Sequence, residues 1–150
     1  MNSSVLQRRF ARANTLYLDL IAALGRDQLG SHLADLPSDT IGHQLWCVLG
    51  ARESYPRAAR AGQWQGFTSP VTAEQTVDAA ALRSAFEATA ADVGAWLPEI
   101  AADDEESLTY ALALLEHETQ HHGQLIRYLY GLGIRRPHSW RRQYALDEHF

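Results

Sequence analysis

Six residues, Tyr110, Leu114, His117, His121, Leu125 and Tyr128, recur at intervals of three or four and set two histidines inside an otherwise apolar helical repeat. The spacing aims His117 and His121 at a core from one helix face, one turn apart. His122 falls about 100° further round the same helix and is expected at the rim. Glu118 is turned from the stripe by the same angle and is expected in solvent. The surrounding stretch, Leu115 to Leu125, is the one the other segments have to be arranged around.

A chain of 150 residues suits one domain, 1–150, with room for a sizeable core. The apolar share of 46% against 21% charged argues against long disorder. A formal net charge of −5 opposes generic attraction to nucleic acid, and the cluster Arg135, Arg136, Arg141 and Arg142 reads as a solvated face. Apolar runs stop well short of a membrane span, and the residues after Arg8 and Arg9 form no signal-peptide core, so a cytoplasmic protein is expected. The single cysteine, Cys47, cannot form an internal disulfide, which fits a reducing compartment.

Four helices are expected. The first spans Ser4 to Leu24 on Leu6, Phe10, Ala13, Tyr17, Leu20, Ile21 and Leu24, stopped by Gly25, with Asn14 beside the stripe and partly exposed. Gly25 to Asp39 reads as a connection with a short turn at Leu33 to Leu36. The second helix starts near Thr40, carries His43 and Cys47 on one face, and should kink or end at Arg52 to Tyr55 because Pro56 lacks an N–H and clashes one turn back. Gly62 to Thr76 is a long connection whose Trp64 and Phe67 should cover a bundle end. The third helix runs from Thr76 or Asp78 to Leu97, closed by Pro98. Asp103 to Glu106 favour the N-terminus of the fourth, which continues to Leu132, followed by a tail with Pro137, Ser139, Trp140 and Tyr144. No segment alternates with period two, so the fold class is all-α, and a helical bundle is the economical arrangement.

Four readings of the histidines differ in chemistry. In the first, His117 and His121 ligate a metal with a third ligand, His43 or Cys47, from the second helix, leaving a position open for water or substrate. In the second, His117-Glu118-Thr119-Gln120-His121 is the HExxH of a zinc protease with Glu118 as general base, but Gly123 is one place early for the longer pattern and Arg127 stands where a third histidine belongs. The third makes Cys47 a nucleophile with a histidine base, although mid-helix on a core-facing side is a poor place for attack. The fourth is a metal-free bundle whose histidines satisfy one another through water.

The order of parts resembles the DinB/YfiT-like, DNA-damage-inducible family of metal-binding helical bundles. The residues that carry the resemblance are Thr40-Ile41-Gly42-His43-Gln44-Leu45-Trp46-Cys47-Val48-Leu49-Gly50-Ala51 in the second helix, the pair His117 and His121 followed by His122-Gly123-Gln124, and the closing Pro137-His138-Ser139-Trp140 segment. The resemblance implies a four-helix bundle of up-down-down-up topology, often a homodimer, with a divalent metal held by three histidines. Members include thiol-dependent S-transferases and hydrolases, which implies a small-molecule substrate or a cellular thiol as partner. Counted from Thr40, the family's first ligand histidine falls at Cys47, and His43 stands one turn earlier. Cys47 and His43 are therefore alternatives for the third ligand, with Cys47 preferred for its position. Zinc, nickel or iron suits such donors better than magnesium. The alternative function is a nonenzymatic stress or ligand-binding bundle.

Overall fold

The computed structural model describes residues 3–147. Among them the structure is all-helical, with no strand. In chain order the helices are α1 (Ser3–Ala22), the single turn α2 (Arg26–Leu29), α3 (Ile41–Ala61), α4 (Ala79–Trp96), α5 (Glu105–Gly131) and α6 (His138–Tyr144). Short 3-10 turns, Glu74–Val77 and Leu97–Glu99, flank α4. The long helices pack as a bundle in which α3 lies against α5 and α4, α1 lies against α4, and α1 also meets α5 and α6.

Local chemistry sets the helix ends that matter for the site. Thr40 opens α3, its hydroxyl accepting from the His43 backbone N–H at 3.1 Å. Asp104 caps α5 by accepting from Ser107 N–H at 3.0 Å, and Glu105 and Glu106 follow in the first turn, where the exposed N–H groups favour negative charge. Gly42 lets the backbone of Thr76 press directly on α3; a Cβ there would overlap the Thr76 carbonyl.

Pro56 does not end its helix. α3 continues to Ala61 and stops only at Gly62, which adopts the left-handed conformation at φ 65°. The last turns are anchored from outside: Ala58 is fully buried, Arg57 donates to Gly66 O at 2.9 Å, and Arg60 pairs with Glu99 at 3.0 Å. Such tertiary contacts offset part of a helix-interior proline penalty of about 3 kcal/mol. Two further expectations are corrected. The C-terminal tail is helical as α6, held by Trp140, whose indole N–H donates to Leu16 O at 2.7 Å from a fully buried position. Trp64 and Phe67 do not cover a bundle end: they lie along the flank of α3, on Tyr55 and Trp46 respectively, and stay 49% and 39% exposed.

The apolar core comes in two clusters. One gathers Tyr17, Leu20, Leu45, Leu49, Phe86, Leu125 and Trp140, and the other Leu6, Phe10, Ala51, Val93, Trp96 and Leu114. Along the chain, polar residues separate them on three of the long helices, Asn14 between Phe10 and Tyr17, Thr89 between Phe86 and Val93, and Glu118 between Leu114 and Leu125, while on α3 buried Arg52 stands directly after Ala51, where the two clusters meet. A polar layer thus crosses the bundle, and the histidine pair lies on α5 at the same level.

Candidate metal centre

Cys47 from α3 and His117 and His121 from α5 bring one ligand atom each to within 4.8 Å of one another. Sγ of Cys47 is 3.6 Å from Nε2 of His117, and the two imidazole centroids are 4.6 Å apart. A tetrahedral zinc with bonds of about 2.3 Å to sulfur and 2.0–2.1 Å to nitrogen has an S···N edge of about 3.5–3.6 Å. The Cys47–His117 separation fits that edge. His121 is buried, with Nδ1 2.6 Å from the side-chain oxygen of Gln44. Nδ1 of His117 is buried with no hydrogen-bond partner, and the Tyr55 ring meets His117 edge-on with centroids 6.2 Å apart.

His43 takes no part in this cluster. Its Nδ1 bonds the Asp39 carboxylate, four residues earlier, and its ring lies 4.9 Å from that of Trp46. The structure therefore brings Cys47, His117 and His121 together and leaves His43 on the half-exposed flank of α3.

Burial governs the protonation of the cluster. Loss of hydration lowers the pKa of His117, opposed by the charge of Glu118. The same desolvation, helped by His117, lowers His121 to about 4. Both imidazoles are consequently neutral near pH 7, the form that can donate a lone pair. Desolvation, then the charge of Asp39, raises the pKa of the Cys47 thiol. A thiol held protonated is the reverse of an activated nucleophile, which argues against Cys47 as an attacking group on its own.

Two neighbours on α5 are placed otherwise than the helical stripe predicts. Glu118 is fully buried and accepts two bonds from Arg52, Nε at 2.7 Å and NH2 at 3.0 Å. NH1 of Arg52 donates to Asn14 Oδ1 at 2.7 Å, and the guanidinium lies over the Tyr17 and Phe86 rings at 5.5 and 5.0 Å. With its carboxylate committed to Arg52, Glu118 is not free to serve as the general base of an HExxH protease. His122 is not at a rim but 3% exposed, between Tyr17 and Trp140, with Nδ1 2.7 Å from the Tyr144 hydroxyl. Both corrections have one cause: α5 is covered by α1 and α6 as well as by α3, so a face next to the main stripe is also buried.

Sequence reasoning overlooked the site-supporting residues Gln44 and Arg52 and set aside Asn14, which is partly exposed as expected and accepts from Arg52. Gln44 had a signal, since it stands three residues before Cys47 and so shares its side of α3. No protein-family model, curated protein or solved structure matches the chain. No described helix is long and apolar enough to cross a membrane.

Proposed function

We propose that the chain is a DinB/YfiT-like four-helix bundle of up-down-down-up topology in which Cys47, His117 and His121 hold one divalent transition metal, zinc, nickel or iron. The observation that carries this reading is the convergence of three soft or borderline donors within 4.8 Å, one a thiol and two neutral imidazoles. Three protein ligands leave a coordination position for a small molecule. A metal there supplies Lewis-acid polarisation, which suits hydrolysis or transfer of an electrophile to a low-molecular-weight cellular thiol.

The chain's own groups have defined tasks in this reading. His117 and His121 present lone pairs without having to lose a proton, whereas Cys47 must give up its proton to bind as thiolate. Tyr55, which also meets Tyr110 at 6.2 Å between centroids, walls one side of His117. The buried Arg52–Glu118 pair ties α3 to α5 beside the ligands.

The test is a panel of electrophiles and ester or amide substrates with several cellular thiols, run on metal-loaded and chelator-treated protein. Metal-dependent turnover that is lost in His117→Ala supports the reading. Metal binding with no turnover across the panel favours the nonenzymatic ligand-binding bundle. The resemblance also implies a homodimer, and light scattering on untagged protein gives the oligomeric state.

A further inference from the structure

We infer that Gln44 is a positioning residue that selects the tautomer of His121, so that Nε2 rather than Nδ1 is the ligand atom; this rests on the metal reading above. The side-chain carbonyl oxygen of Gln44 can only accept a hydrogen bond, and it lies 2.6 Å from His121 Nδ1. The ring nitrogen must therefore carry the proton, which places the lone pair on Nε2. Imidazole ligands are commonly oriented in this way by a partner on the far nitrogen.

Gln44 is on α3, three residues before Cys47, so one helix supplies both a ligand and the group that aims a ligand on its neighbour. A shift between α3 and α5 would disturb both at once. The two histidines are unequal in this respect. Nδ1 of His117 is buried without a hydrogen-bond partner, although the rings of Tyr55 and His121 border it. The dependence on a hydrogen-bonded positioning group should accordingly be confined to His121.

Two measurements on Gln44→Leu and Gln44→Glu test this. The first is the side-chain ¹⁵N spectrum of metal-free protein, in which the two neutral histidine tautomers give different nitrogen shifts. Wild type should show His121 as the Nδ1–H form, Gln44→Leu a mixture, and Gln44→Glu a return to Nδ1–H, because a carboxylate accepts the same proton. The second is zinc affinity by chelator competition, expected to fall about 10–100-fold in Gln44→Leu and to recover in Gln44→Glu. An unchanged His121 tautomer in Gln44→Leu, or zinc affinity equal to wild type, overturns the inference. If wild type binds no zinc, the metal reading falls, while the tautomer spectrum still decides whether Gln44 sets the proton on His121.

Discussion

Replacing Glu118 with leucine would strand the Arg52 guanidinium inside the bundle. Both side chains of the pair are essentially inaccessible, at 1% and 0% exposure, so water cannot take over from the lost carboxylate. Breaking a buried pair from one side costs about 3–5 kcal/mol, because the remaining charge stays desolvated. The lower half of that range applies here: Arg52 keeps Asn14, the Phe86 carbonyl and the faces of Tyr17 and Phe86. For 150 residues, with an unfolding entropy of about 2.1 cal/mol/K per residue, each kcal/mol lowers Tm by about 3 °C. Glu118→Leu should thus lose about 3–4 kcal/mol in urea denaturation followed by circular dichroism, and about 10–13 °C in Tm. Removing both charges, in Arg52→Met with Glu118→Leu, should return stability to within about 1 kcal/mol of wild type or above it, since neither ion is then buried. A loss below about 1 kcal/mol in Glu118→Leu, or a double variant as unstable as the single one, would refute the reasoning. In the proposed metal reading, Glu118→Gln should bind metal as the unsubstituted chain does, since Glu118 is outside the proposed ligand set.

Tyr144→Phe removes the hydroxyl bonded to His122 Nδ1 and leaves both nitrogens of a buried ring unpartnered, so a loss of about 1–3 kcal/mol is expected in urea denaturation; an unaffected midpoint would show that His122 needs no such bond. Gly42→Ala drives a methyl into the Thr76 backbone, which cannot rotate away as a side chain could, and should cost about 1–3 kcal/mol by the same assay, with no loss predicted only if the 3-10 turn moves freely. Metal affinity should rise with pH: His121, at about 4, is already deprotonated near pH 7, while the Cys47 thiol with its raised pKa is not. Binding then releases about one proton, and chelator competition between pH 6 and 8 should show about tenfold tighter binding per pH unit; a flat profile would mean that Cys47 does not bind as thiolate.

The helical architecture and the inward pair on α5 were legible because both depend on local periodicity. Helix spacing left His43 and Cys47 as alternatives on one face of α3, and the preference for Cys47 came from the family resemblance, counted from Thr40. What stayed hidden depends on packing between distant segments. Tyr17 donates to the Glu118 carbonyl across 101 residues, Trp140 reaches Leu16 across 124, and neither link leaves a periodic trace. A single apolar stripe suggested one buried face for α5, whereas α1 and α6 bury a second face, taking Glu118 and His122 with it. Asn14 looked like a residue beside a stripe because its partner, Arg52, is on another helix. The continuation past Pro56 was unreadable for the same reason: proline's local cost is visible in the sequence, but the contacts of Ala58, Arg57 and Arg60 that offset part of it are not.

The most direct test of the central claim is the metal content of untagged protein, purified without chelator and measured by mass spectrometry beside Cys47→Ser, His117→Ala, His121→Ala and His43→Ala. The expected result is about one equivalent of zinc, nickel or iron in wild type and in His43→Ala, with marked loss in the three ligand variants. Less than about 0.1 equivalent in wild type, unchanged in His117→Ala, would contradict the claim and leave a metal-free bundle.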